Sequence, residues 1–277
     1  MISTLYLQIF LILLIIKYLH FTFFLPSNRL VYITLLRNPI DRYISELVTI
    51  NLIGQEFSSG HYCNGHYANT LEIPHCFEES SYFLPNSIKN NVKRTLDLES
   101  FVNCPQNPAN NRQAFMLSDR RLINCFNNSN LPEDARDNII FKSAKENLLK
   151  MRFFGLTEYM FLNQYLFELT FPNLKFQNRL CNLRSKSEFN SDSQTTKLLK
   201  DLILKNSSLL PKIYKNNIID QKLYSVSKEL FYFRIISKIQ KEFNYFNIYR
   251  MRNMHIDDSL KFLEYMLAFL DPQKKEI

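Results

Sequence analysis

The stretch RLVYITLLRNPIDRYISE, residues 29–46, limits the fold of this chain more than any other. Its first part, RLVYITLL, is a near-continuous apolar and β-branched run, as expected of a strand buried in a parallel sheet. Asn38-Pro39 follows at once: an N-cap side chain, then a ring preset for the first helical turn. A strand that passes straight into a helix points to an α/β layered arrangement. Arg37 then stands at the carboxyl end of the strand, the side on which open α/β sheets bind ligands. Its planar guanidinium suits a phosphate. Asn38, Asp41 or Arg42, and Ser45 recur at helical spacing, so one helix face presents them and Ser45 can add a hydroxyl to an anion gripped by Arg37. The same residues equally describe a plain capped helix with an Arg42–Glu46 ion pair. Spacing alone leaves both readings open.

The chain has 277 residues, 46% of them hydrophobic, which is enough to bury a substantial core in one large domain or two small ones. Four glycines occur, Gly54, Gly60, Gly65 and Gly155, and they build no glycine-rich phosphate loop. A net charge of +8 favours a polyanionic partner (nucleic acid, acidic glycan or anionic membrane), although solvated surface lysines account for it as well. Residues 5–25, LYLQIFLILLIIKYLHFTFFL, are long enough to cross a bilayer core of about 30 Å, with Lys17 snorkelling. No small-residue cleavage site follows, so the segment reads as an uncleaved anchor. Its other reading is a buried helix or strand pair of the fold. With the anchor preferred, the expected organisation is a membrane anchor at 1–27, one domain at 28–250 and a C-terminal tail at 251–277.

Further along, residues 51–95 mix Gly, Ser, Asn, His and Pro and read as a long loop region, where Cys63 and Cys76 offer a cross-link. Helical patterns follow at 97–103, at 108–119 with Pro108 as first helical residue, and at 131–151 with acids in the first turn. RFFGLT, residues 152–157, reads as a second short strand, with Thr157 as the cap of the next helix. Two more amphipathic helices are expected at about 196–206 and 219–242. The five cysteines form no CxxC pair, so no zinc site is expected. An anchor together with the sequons at Asn127 and Asn206 favours disulfides in an oxidising lumen.

The motifs themselves carry a resemblance. VYITLLRNPIDRYISE is similar to the segment of heparan sulfate 6-O-sulfotransferases that holds the 3'-phosphate of PAPS, 3'-phosphoadenylyl sulfate. The blocks FVNCPQNPANNRQAFMLSDRRLINCFNNS, SAKENLLKMRFFGLTEYMFLNQYLFELTFPNLKF and IIDQKLYSVSKELF resemble successive blocks of that family in the same order, from about residue 29 to 235. The resemblance implies a P-loop-type sulfotransferase fold, a parallel sheet flanked by helices, with PAPS as co-substrate and no metal. It implies that Arg37 and Ser45 bind the 3'-phosphate. Arg184 and Ser185, in CNLRSK, fall near a loop that closes over the nucleotide. Phe57 falls where the family has a Trp touching the sugar, and Thr49 where a His is expected. Arg112, with Arg120 and Arg121, becomes a candidate contact for the heparan sulfate chain, which replaces nucleic acid as the expected polyanion. Cys63, Cys76, Cys104 and Cys125 fall at family cysteine positions and are expected to pair as Cys63–Cys76 and Cys104–Cys125. Asn127 falls at a family glycosylation position, and a single-pass, lumen-facing Golgi location is implied.

Two parts of the family pattern have no counterpart in this sequence. A Lys-Thr-Gly-Gly-type loop wraps the phosphosulfate in the family, and a histidine acts as general base on the sugar hydroxyl. Upstream of Arg29 there is only the apolar segment; His20 matches no family context, and His61, His66, His75 and His255 lie downstream. The expectation is therefore an N-terminally truncated sulfotransferase domain. Its function is 6-O-sulfation of glucosamine in heparan sulfate, or, alternatively, glycan or nucleotide binding without catalysis, or the sequence is an incomplete gene model of an active enzyme.

Overall fold

In a computed structural model of the chain, residues 20–24, 30–53, 62–63, 66–67, 98–125, 131–176, 201, 203, 208–243 and 255–270 are described. The apolar run forms strand β2 (Leu30–Leu36), and FFGL forms β5 (Phe153–Leu156). They pair in parallel, with Ile33 opposite Phe153 and Leu36 opposite Leu156. Burial explains the composition. All four residues of β5 are buried, as are Val31, Ile33, Thr34 and Leu36 of β2, so both faces of the strands are covered.

A third strand, β1 (His20–Phe24), pairs antiparallel with the other edge of β2, His20 facing Thr34. Residues 20–24 of the apolar stretch 5–25, expected to span a membrane, are extended and hydrogen-bonded into the sheet, where they cover a strand edge that would otherwise be open. The rest of the span lies outside the described residues, and among those described no helix is long and apolar enough to cross a membrane.

The chain divides into two compact units. The first comprises residues 1–37, 148–189 and 224–277, and holds this mixed sheet. Helix α5 (Met160–Thr170) packs on β5, where Phe153 meets Phe167 edge to face at 5.2 Å. Helix α7 (Ile218–Phe243) adds Phe231, which lies 6.3 Å from Phe154. Residues 251–277, expected as a tail, contain helix α8 (Ile256–Leu270), with Leu260 and Leu263 fully buried.

The second unit comprises residues 38–147 and 190–223. It contains α1 (Pro39–Ile53), the short ladder of β3 (Tyr62–Cys63) with β4 (His66–Tyr67), α2 (Leu98–Asn103), α3 (Arg112–Leu117), most of α4 (Glu133–Lys150), α6 (Leu209–Asn216) and the first turn of α7. Its core gathers Tyr43, Ile44 and Leu47 of α1 with Phe101, Val102, Ala109, Ile203, Leu209 and Ile213. The Tyr43 and Phe101 rings meet edge to face at 4.9 Å.

Candidate functional site

In the first unit, the carboxyl ends of β2 and β5 lie side by side, so Arg37 and Thr157 leave the sheet at the same edge. Arg37 is half-buried there. The end of β5 is held by Asn163, one turn into α5: its Oδ1 accepts from the Leu156 N–H at 2.9 Å, and its Nδ2 donates to the Leu156 carbonyl at 2.7 Å. A side-chain amide thus replaces a further strand at this position. Thr157, expected as a helix cap, instead opens a 3-10 turn to Tyr159 and caps nothing. Tyr159 donates to Asp257 Oδ1 at 3.0 Å, and Lys228 Nζ lies 2.9 Å from Asp257 Oδ2. Burial opposes ionisation of Asp257, but the bonds from Lys228 and Tyr159 prevail and hold its carboxyl below the usual range.

In the second unit, α1 starts as the sequence requires. Asn38 Oδ1 accepts from the Ile40 N–H at 3.0 Å, and Pro39 is the first helical residue. Ser45 is half-buried, two turns along. Arg42 does not share its outlook but turns inward, 6% exposed. Its Nη1 donates to Glu46 at 2.6 Å, and its Nη2 donates to the Ala109 carbonyl at 2.6 Å and to Asn217 Oδ1 at 2.8 Å. Asp220 Oδ2 stands 3.5 Å from its Nε, a charge contact without hydrogen-bond geometry. Arg112, also 6% exposed, donates to the other Glu46 oxygen at 2.8 Å. Two guanidinium and two carboxylate groups therefore balance in the interior, where removing one member costs about 3–5 kcal/mol.

The NPANNRQ block surrounds this network. Asn107 bonds the Phe101 carbonyl at 2.7 Å and the Ala109 N–H at 2.9 Å. Asn111, with φ 48°, accepts from the Ile219 and Asp220 N–H groups at the start of α7. Asp220 returns the service to α3, accepting from Gln113 N–H at 3.2 Å and Ala114 N–H at 2.7 Å. Each helix start is capped by a residue of the other. The Arg42–Glu46 pair was one of the two sequence readings, whereas the reciprocal caps and the pairing of Glu46 with Arg112 were not assigned; the density of Asn in the block and the acid in the first turn of α7 were the available signals.

The expected glycan contacts separate accordingly. Arg112 is corrected from a chain-facing residue to an interior one, because its guanidinium is committed to Glu46 and desolvation lowers its pKa. Arg120 is largely enclosed; burial pushes its pKa down to about 10, and it lies 5.0 Å over the Phe115 ring. Arg121 is exposed and grips Asp119 through Nε at 2.8 Å and Nη2 at 2.6 Å. The cysteine pairing is corrected too: Cys63 bonds Cys125, Cα atoms 5.6 Å apart, so neither Cys63–Cys76 nor Cys104–Cys125 forms, and Cys104 is itself disulfide-bonded. Thr49 lies in α1. Phe57, Cys76, Asn127, Arg184, Ser185 and Asn206 lie outside the described residues.

Taken with β2, β5 and their flanking helices, these elements define a helix-rich α/β protein with an arginine at the carboxyl edge of a parallel strand pair. The chain is 36% identical over 219 residues to heparan-sulfate 6-O-sulfotransferase 2 of Gallus gallus, covering 78% of this chain and 48% of that protein. It is 36% identical to heparan-sulfate 6-O-sulfotransferase 2 of Homo sapiens over 217 residues (78% and 32%), and 38% identical to heparan-sulfate 6-O-sulfotransferase 1-B of Danio rerio over 200 (72% and 43%). No family model matches the chain. The chain is thus similar to heparan-sulfate 6-O-sulfotransferases over most of its own length, and it spans less than half the length of each.

Proposed function

We propose that the protein serves transfer of a sulfuryl group from PAPS to the 6-hydroxyl of glucosamine in heparan sulfate, and that Arg37 and Ser45 anchor the donor by its 3'-phosphate. In that reaction the bond from sulfur to the phosphate oxygen breaks, a bond from sulfur to the sugar O6 forms, and the hydroxyl proton passes to a base. The 3'-phosphate stays intact and serves only to hold the donor. The observation that carries the reading is the place of Arg37, half-buried and directly beyond the carboxyl end of a parallel strand, in a chain whose relatives are named for this activity. A guanidinium fork and a hydroxyl are the donor types that a dianionic phosphate calls for. The net charge of +8 suits a polyanionic acceptor.

The reading carries with it a P-loop-type sheet, nucleotide contacts from Arg184 and Ser185, a sugar contact from Phe57 and glycans on Asn127 and Asn206. It also carries a lumen-facing Golgi location, with membrane attachment through the apolar residues ahead of β1. No residues of this sequence match the family's Lys-Thr-Gly-Gly loop or its histidine, so donor anchoring is the step assigned to these 277 residues.

Calorimetry with adenosine 3',5'-bisphosphate tests the proposal. Binding is expected, with Arg37→Ala weakening it at least tenfold; equal affinity in the variant would overturn the anchor. The same 277 residues, given PAPS and desulfated heparin, are expected to yield no 6-O-sulfate above a no-enzyme control, because general base catalysis alone contributes about 10²–10⁴ in rate. Product above that control would refute the assignment of donor anchoring alone.

A further inference from the structure

Ser45 reaches its position through a helix whose neighbouring residue is locked in the interior. Glu46 is 6% exposed, and its two oxygens are taken by different guanidinium groups, Oε2 by Arg42 at 2.6 Å and Oε1 by Arg112 at 2.8 Å. Those guanidiniums are fixed in turn, Arg42 by the Ala109 carbonyl and Asn217, Arg112 by its 3.4 Å bond to the Pro108 carbonyl. The Asp220 carboxylate lies beside Arg42 while capping α3. Every contact in this set lies within the second unit.

We propose that Glu46 is a positioning residue for the phosphate-binding face of α1: pinned between Arg42 and Arg112, it sets the rotation of the helix about its axis and so the place of the Ser45 hydroxyl. The inference rests on the donor-anchoring reading above and adds to it the interior residues that make the anchor rigid. Geometry supplies the reason. Consecutive helical residues stand about 100° apart around the axis, so a carboxylate held inward fixes where the preceding side chain points. A serine hydroxyl stands roughly 4 Å from the axis, so a rotation of about 20° moves it by about 1.4 Å. Hydrogen bonds from a hydroxyl span only about 2.5–3.0 Å, and such a shift breaks one. Apolar packing of Tyr43, Ile44 and Leu47 keeps α1 on the core but is non-directional; the bond from Arg112 to Glu46, with the intrahelical Arg42–Glu46 pair tied by Arg42 to the Ala109 carbonyl and Asn217, is what selects one rotation.

The test compares Glu46→Gln with Ile140→Ala, a fully buried α4 position in the same unit whose apolar side chain takes no part in the hydrogen bonds of the network. For each full-length variant, the Tm and the Kd for adenosine 3',5'-bisphosphate are measured. Both are expected to lower the Tm, while Glu46→Gln alone weakens binding at least fivefold. Should Glu46→Gln not fold, the pair Glu46→Gln with Arg112→Gln keeps Arg42 and Asp220 in balance; it is expected to fold and still bind at least fivefold more weakly. Unchanged affinity in the Glu46 variants, or an equal loss in Ile140→Ala, would show a merely structural network and overturn the inference alone. Absence of binding by the unsubstituted protein would instead overturn the reading beneath it, and the inference with it.

Discussion

Gly155 shows how much a single position depends on a partner elsewhere in the chain. A Cβ there would stand 2.6 Å from Asn163 Oδ1 and 2.7 Å from Leu35 Cδ2. Asn163 cannot retreat without giving up both of its bonds to Leu156. Gly155→Ala is expected to destabilise by about 1–3 kcal/mol through overpacking. Asn163→Ala leaves the buried Leu156 N–H and carbonyl without this partner, at about 1–3 kcal/mol for an unsatisfied group. With the amide gone, the Asn163 atoms that crowd alanine at 155 are removed, so the two changes should be coupled by about 0.5–3 kcal/mol. Urea unfolding of the four proteins of this cycle measures the coupling, and strict additivity would refute the account. FFGL was legible as a strand from its own residues. The reason for its glycine was not, because it lies eight residues onward in a side chain that no local pattern aims at the strand.

Helix starts in this protein were readable where the cap is local and misread where it is borrowed. Asn38-Pro39 marked α1 correctly, since the cap and the first turn are adjacent. Pro108 drew the expected start of α3 four residues too early. Residues 108–111 are instead turned, and α3 waits for Asp220, more than a hundred residues away. At Asn111, cap and backbone can be separated. Asn111→Gly keeps a left-handed φ and loses the hydrogen bonds to the start of α7, costing about 0.5–1.5 kcal/mol; Asn111→Ala adds backbone strain and should cost more. Equal Tm values for the two variants would mean that the φ of 48° carries no cost.

Helix α8 offers a pH test at the same scale. Asp257 has a folded pKa below its ordinary 3.8, so it adds stability above that value, and this is lost as pH falls through the lower folded value. The window therefore lies below about pH 3.8. Hydrogen exchange over residues 256–264 should rise there relative to pH 6, and Asp257→Asn should show reduced protection already at pH 6, with a flatter response to acid. An acid response identical in the variant would assign the effect to other groups.

Across the whole molecule, the sequence made the layered α/β class and the strand-to-helix order legible, while long-range connections stayed hidden. The cysteines show why. Pairing neighbours in sequence assumes short loops, yet the chain brings Cys63, beside the β3–β4 ladder, to Cys125 at a sequence separation of 62. Only the folding of the intervening α2, α3 and the Arg120–Ile123 turn makes them neighbours, and Cys125 arrives with φ 65°, a conformation few side chains adopt unaided. On the chain-entropy account, a loop of that length restricts the unfolded state by about 4 kcal/mol, against about 3 for a Cys63–Cys76 loop. The double variant Cys63→Ser, Cys125→Ser is thus expected to lose about 3–4 kcal/mol in urea unfolding. Non-reducing proteolysis followed by mass spectrometry should recover a peptide pair joining residues 63 and 125. Recovery of a Cys63–Cys76 pair from folded protein would mean that the second unit closes by a different path from the one described.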